Sequence, residues 1–433
     1  MKGKLDYAET INQQQALIAI RKKLIGKRLN YKEIYSIMDQ IAKDKLGDIL
    51  TTYFAASGYS KGFSDQELYY LTKAMVETGE KLDFKGIVAD KHSIGGVPGT
   101  RTTLIIVPIV AAAGFCIPKS SSRAITTPSG TADDMETLAK VKFSKEKIYE
   151  IVKKTNGCIV WGGSFSIAPA DDAIINVERP LLFESYDKII VSIMAKKIAF
   201  GSNHVVIDLP YGTTVKVHKL SDVAILKSKF EYLARKFNIK IRVLVHKTNE
   251  PAGQGIGPIL ETREAIRVLQ QKYNRPLDLE VRSINLAGNL LGICLDDSPR
   301  KLIEYVKKNF GNCFGWATYI LKSGLAFKKM QEIIQAQEGN PNIDSEDLKP
   351  GKFSFRFIAE KSSKVKNINS LNLTIIARAL GAPEQKGAGI FLEKKLGEHV
   401  EKGEALCTFY SDGISNLQEA KKKSVSLEIF KLS

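Results

Sequence analysis

KHSIGGVPGTRTT, residues 91–103, is followed after a helix-length gap by SSSRAITTPSGTADDME, residues 120–136. The first stretch comes after a short apolar run at 87–89 and before a long one at 104–117, which predicts a glycine-rich turn between a strand and a helix. Gly95, Gly96 and Gly99 let a backbone approach a ligand closely and expose amide donors. Lys91, Ser93, Thr102 and Thr103 add an ammonium and hydroxyls, a donor set suited to phosphate. The second stretch repeats that chemistry with Ser121, Ser122, Arg123, Thr126, Thr127 and Thr131, just before a helix expected to start near Gly130. Neither stretch is a Walker A loop, since no GKS or GKT follows, and neither is a GxGxxG dinucleotide fingerprint.

Further along, DKIIVSIMAKKIAFG has helical periodicity and sets Ser192 and Lys196 one turn apart on one face. Helices are also expected at 10–23, 31–43 and 64–77, the last with a Ser64/Glu67 capping box. From residue 86 apolar strand runs (205–209, 241–245) alternate with helices (221–237, 258–271), the pattern of an α/β layer with a largely parallel sheet. Helical patterns continue at 279–294, 299–310 and 316–337, and after Pro350 and Gly351 the pattern shifts to short β runs.

Both donor-rich stretches resemble the thymidine phosphorylase family, which includes pyrimidine nucleoside phosphorylases and AMP phosphorylases. The resemblance continues in order through GCIVWGGSFSIAPADD from Gly157, VERPL from Val177, SIMAKK from Ser192, VVIDLPYG from Val205 and GIGPILETREAIRVL from Gly255. It implies phosphorolysis, in which inorganic phosphate attacks the anomeric carbon of a nucleoside or nucleotide. No covalent nucleophile is needed, which suits a chain without GxSxG. The implied fold is the nucleoside phosphorylase/phosphoribosyltransferase type. Its helical domain would be 1–83 joined by about 167–200, its α/β domain 84–166 and 201–349, and its β-rich C-terminal subdomain 350–433. The active site is expected in the cleft between the first two, with hinge closure.

Carried over by resemblance, the phosphate site falls on Lys91, Ser93, Thr103 (with Thr102 as the alternative), Ser121 and Thr131, and His92 lies near the base. The nucleotide site would comprise Gly96, Ser122, Arg123, Ala124, Ile125, Thr126, Thr127, Thr131, Ser192, Lys196 and Lys216. The proton donor to the leaving base, an aspartate in the AMP branch, falls on Glu184, with Asp171 and Asp172 as alternatives. Arg179 is a further base-contact candidate. Pro128 and Ser129 before the Gly-Thr pair, together with SRAITT and GIGP, are AMP-branch features, so nucleoside 5′-monophosphate is the expected substrate and a nucleoside the alternative. By the same resemblance, the chain is expected to lack the extra N-terminal module usual in AMP phosphorylases, and a homodimer is expected.

Composition agrees without deciding. With 433 residues, 44% hydrophobic, the chain has ample core. Its N-terminus lacks a signal-type apolar segment and its longest apolar run is too short to span a bilayer, so a cytoplasmic enzyme with no membrane partner is expected. Five scattered cysteines without CxxC indicate reduced thiols and no metal site. The net charge of +17 comes from dispersed lysines, with no accompanying RNA-binding aromatic motif, so a nucleic-acid partner is not expected. No cofactor is expected beyond inorganic phosphate as co-substrate. A phosphoribosyltransferase would need an acidic pair for magnesium diphosphate, and Asp133–Asp134 is the nearby candidate, a helix turn being its simpler reading. The hairpin-like GAGIFLEKKLGEHVEKGEALCTFYS tail resembles both the family's C-terminal domain and a biotinyl carrier, but no MKM-type modification site is present.

Overall fold

Reciprocal side-chain caps start two helices of the N-terminal region. Asn30 with Glu33, and Ser64 with Glu67 as the sequence predicts, each satisfy the free amides ahead of helices Tyr31–Ala42 and Asp65–Glu77. The computed structural model describes the backbone of residues 2–433 except Thr126, Phe165, 179–184 and Thr214, and side chains from residue 11 onward except Lys61. The chain divides into two units. One comprises Met1–Gly86, Gly162–Val205 and Ala224–Ile241; the other comprises Ile87–Trp161, Val206–Val223 and Arg242–Ser433.

The first unit is helical. Lys2–Leu24, Tyr31–Ala42, Gly47–Lys61 and Asp65–Glu77 are joined by Pro169–Glu178 and Tyr186–Ala199. Ile34, Ile37, Met38, Leu68, Leu71 and Met194 are buried among them. Lys23 pairs with Glu67 at 2.9 Å, both buried, and Glu67 also accepts the Leu29 amide. Burial would raise that carboxyl, but its bonds to Ser64, Lys23 and Leu29 outweigh burial and hold it below its ordinary value. Helix Gly47–Lys61 is absent from the sequence reading, because GDILTTYFAASGYSK has no polar cap and no clean apolar stripe.

In the second unit, strands Ala89–Ser93, His204–Tyr211 and Lys240–Lys247 lie in that order in one sheet, and Ile117–Ser121 pairs in parallel with Gly157–Trp161. A parallel bridge between Val88 and Cys116 links the first strand of each set. This is the expected α/β fold. Helix Thr103–Ala112 is apolar on every side because it is covered all round: Leu104, Ile105, Ile106, Ile109 and Val110 are fully buried. Gln337 ties this core to the parallel pair, its Oε1 accepting the Ile159 amide at 2.8 Å and its Nε2 donating to the Ile159 and Lys140 carbonyls. The helix expected across 316–337 is two helices, Cys313–Lys322 and Leu325–Ala336, broken where Gly324 takes φ 82°.

The tail of the same unit is β-rich, as expected. Strands 389–392, 405–411 and 353–358 form an antiparallel sheet whose edge is Gly255–Ile256, borrowed from the α/β part. Strand Ser363–Ile368 pairs with His399–Val400 and Phe430–Leu432 in a second sheet. Helices Ser370–Ala379 and Ile414–Ser426 pack with these sheets and are not in the sequence reading. Among the described residues no helix is long and apolar enough to cross a membrane.

Gln337→Leu orphans the buried Ile159 amide and carbonyl, at about 1–3 kcal/mol for each group left without a partner. A lower urea midpoint than wild type is expected, and an unchanged midpoint would show that water or a shifted side chain replaces those bonds.

Candidate active site

The two donor-rich stretches leave neighbouring strands at the same end. Ala89–Ser93 and Ile117–Ser121 begin beside the parallel Val88–Cys116 bridge, and carried on in step they end with Ser93 level with Ser121. Ligands of open α/β sheets bind at such carboxyl ends. The Ser121 hydroxyl is buried and has no hydrogen-bond partner among the described residues.

Lys91 is buried on the first strand and donates to Thr102 Oγ1 at 2.8 Å. Thr102, the alternative to Thr103, is therefore the threonine that meets the ammonium, while Thr103 is the buried first residue of the next helix. Asp208, on the adjacent strand, lies 3.9 Å from Lys91 Nζ and accepts from Arg282 at 2.9 Å, with His246 Nδ1 at 3.4 Å. Burial pushes the Lys91 ammonium down to about 8; Asp208 opposes that shift, while Arg282 and Arg101 reinforce it. Burial would raise Asp208, yet Lys91, Arg282 and His246 together hold it below the usual carboxylate range. Burial, then Arg282, brings His246 down to about 4, so near neutrality it is an uncharged ring.

Arg101 joins the two stretches. Its Nε lies 2.5 Å from Asp134 and its Nη2 2.6 Å from Glu261; Nη2 also donates to the Ser129 carbonyl at 2.9 Å, and Nη1 donates to Thr131 Oγ1 at 3.4 Å. Burial raises both carboxyls, with Arg101 opposing, and the two carboxylates hold the guanidinium firmly charged.

The described residues between Ser122 and Gly130 are folded onto their own helix. Asp133 Oδ2 accepts the Ala124 amide at 2.7 Å and the Gly130 amide at 2.9 Å. A Cβ at Gly130 would fall 2.4 Å from the Ser122 carbonyl oxygen, so only glycine fits. Arg123 turns inward, bonding Asp133 at 3.0 Å and Glu136 at 2.7 Å and stacking over Trp161. The arginine, with Lys386 adding to it, brings the Glu136 carboxyl down to about 2 against the opposing effect of burial. Asp133 and Asp134 are thus both committed to the protein, in keeping with the helix-turn reading of that pair. Ala124, Ile125 and Thr127 are half-buried, and Ser122 is exposed.

Gly96, at φ 84°, lies against Lys216: a Cβ there would come within 2.8 Å of the Lys216 amide nitrogen. Lys216, Ser93 and His92 are half-buried. In the helical unit, Ser192 and Lys196 do share one face of helix Tyr186–Ala199 and converge on Asp171, at 2.7 and 2.8 Å. Burial would lower Lys196, but Asp171 and Asp172 outweigh burial and raise it. Asp171 is thereby an ion-pair partner, and Asp172 is exposed. Thr126, Arg179 and Glu184 lie outside the described residues.

Sequence reasoning missed Arg101, Asp208, Glu261 and Arg282. Asp208 carried a signal, as the one charged residue within the apolar run VVIDL, where a buried carboxylate requires a cationic partner.

Three family models match the chain: the glycosyl transferase family helical bundle domain at residues 18–79, the glycosyl transferase family α/β domain at 85–297, and the pyrimidine nucleoside phosphorylase C-terminal domain at 364–427. A protein of Legionella pneumophila (strain Paris), provisionally named thymidine phosphorylase, is 42% identical over 407 residues, covering 94% of this chain and 76% of its own length. The AMP phosphorylase of Thermofilum pendens is 41% identical over 415 residues, covering 96% and 78%. The crystal structure of anthranilate phosphoribosyltransferase from Thermus thermophilus superposes with a TM-score of 0.60 at 16% identity, over 74% of this chain and 99% of that one, a likeness of fold.

The depressed Lys91 value sets a pH dependence. Below about pH 8 the free protein holds Lys91 as an ammonium; above it the free form loses the proton while an anion-bound form keeps it, so anion affinity falls. With inorganic phosphate as probe, the dissociation constant should rise above pH 8 by up to about tenfold per unit. A flat profile to pH 9.5 would show that Lys91 does not hold the anion.

Proposed function

Because the chain belongs to the family of thymidine and AMP phosphorylases within the glycosyl transferase family, we propose that it cleaves AMP-type nucleoside 5′-monophosphates with inorganic phosphate, giving free base and ribose 1,5-bisphosphate. The coarser statement follows from the family itself: the chain is a pentosyltransferase of the nucleoside phosphorylase class. The observation that carries the phosphate site is the buried Ser121 hydroxyl, without a partner among the described residues, on the strand next to buried Lys91.

In the proposed reaction, Lys91, Ser93, Ser121, Thr131 and Thr102 or Thr103 hold the phosphate dianion. One of its oxygens attacks C1′ as the bond from C1′ to the base nitrogen breaks, the electron pair leaving with the base. Alignment lowers the barrier by removing the cost of bringing two reactants together, and the phosphate dianion, held by Lys91 and the hydroxyls, faces the positive charge that develops at a ribosyl centre of oxocarbenium character. Glu184 gives its proton to the departing purine. Gly96, the 122–127 loop, Ser192, Lys196 and Lys216 hold the nucleotide, and His92 lies toward the base. Contact between the Gly96 turn and the backbone and side-chain stem of Lys216 supports the monophosphate reading, since it brings a half-buried lysine to a glycine-rich turn.

Base release from AMP, CMP, UMP, adenosine, uridine and thymidine, each with and without phosphate, tests this. Phosphate-dependent release from the monophosphates is expected; release confined to uridine and thymidine would replace the reading with pyrimidine nucleoside phosphorolysis. Lys91→Ala and Ser121→Ala should each raise the KM for phosphate by about tenfold or more, and unchanged phosphate saturation in both would remove the site. Glu184→Gln should slow purine release more than pyrimidine release, whereas equal losses would assign Glu184 a structural role.

A further inference from the structure

The loop from Ser122 to Thr127 offers short hydroxyls and main-chain groups, and its one long side chain, Arg123, is turned away onto Asp133 and Glu136. Whether such a loop fits a ligand depends on how its backbone is held. On its inner side Asp133 takes the Ala124 and Gly130 amides. Its outer side is held from far along the chain. Arg378, in the last turn of helix Ser370–Ala379, donates from Nη2 to the Ile125 carbonyl at 2.6 Å and the Thr127 carbonyl at 3.3 Å. Lys386 adds a second contact from the same region, 3.0 Å from Glu136 and 3.6 Å from Asp133.

Arg378 is exposed, and an exposed guanidinium loses little by remaining in water. Here it is instead bonded to two main-chain oxygens, an arrangement that sets backbone geometry. The phosphate-site side chains Lys91 and Thr131 have separate supports, Thr102 with Asp208 and Arg101 respectively, and none of these comes from the C-terminal region. The two halves of the substrate site are therefore braced by different parts of the chain.

We propose that Arg378 is a positioning residue for nucleotide binding, through which the β-rich C-terminal region holds the 122–127 loop in the shape that receives a nucleoside 5′-monophosphate. This rests on the phosphorylase reading above. Loss of Arg378 therefore weakens nucleotide saturation and leaves phosphate saturation in place.

The test uses the full-length Arg378→Gln, Arg378→Lys and Arg356→Gln variants, the last altering an exposed arginine on the C-terminal sheet as a control. Steady-state kinetics are paired with peptide-level amide hydrogen exchange across 122–130 and with thermal melting. Arg378→Gln is expected to raise the KM for nucleotide about tenfold, the loss of a charge-assisted bond. Its phosphate KM should stay within about twofold and its melting temperature should not change. Amide exchange in the loop should quicken, Arg378→Lys should fall between it and wild type, and Arg356→Gln should match wild type. Unchanged loop exchange in Arg378→Gln overturns the proposal, as does a joint rise in both KM values with a lowered melting temperature. If wild type releases no base from any substrate, the phosphorylase reading fails, and the exchange measurement still decides whether Arg378 positions the loop.

Discussion

A single, largely enclosed guanidinium fixes the two donor-rich stretches to each other. Arg101 lies inside the first glycine-rich stretch and reaches the second through the Ser129 carbonyl and Thr131, and it is kept there by Asp134 and Glu261. Removing one partner of such a buried cluster typically costs about 3–5 kcal/mol, because a charge is left in low dielectric without compensation. The two stretches therefore cannot shift independently. Their mutual position, on which the proposed sharing of a phosphate between Lys91 and Ser121 depends, is set by this electrostatic constraint.

The same principle recurs one strand away. Asp208 holds Lys91 and Arg282, so a cationic group that would strain a dry core is balanced yet retains its capacity to meet an anion. Two carboxylates around Arg101, and one carboxylate among Lys91, Arg282 and His246, place opposite charge balances side by side. The excess of cations falls at Lys91, where the proposed phosphate dianion would add the missing negative charge.

The α/β architecture was legible because its signals are local: alternation of apolar runs and helices, glycine turns, and the Ser64/Glu67 box. Helix Gly47–Lys61 was not, since its burial is imposed by neighbours and leaves no stripe in GDILTTYFAASGYSK. The break at Gly324 was hidden because helical periodicity continues on both sides of it. At the site, the sequence pointed to ligand-type donors, and the structure brings Gly96 to Lys216 and Ser192 to Lys196. It also gives Arg123 an inward, carboxylate-bound position that residue type alone does not reveal. Supporting residues such as Arg101, Glu261 and Arg378 stayed invisible because their partners lie tens to hundreds of residues away, and pairing over that range is a property of the fold.

Phosphorus NMR of the purified protein with AMP and inorganic phosphate tests the central claim most directly. The account predicts that the inorganic phosphate and AMP signals decline together while two equal new signals appear, those of a sugar carrying phosphate at C1 and at C5, in step with free adenine. Appearance of ribose 5-phosphate with undiminished inorganic phosphate would contradict it, since that outcome is hydrolysis by water and gives the Lys91 and Ser121 site no part in the bond that forms.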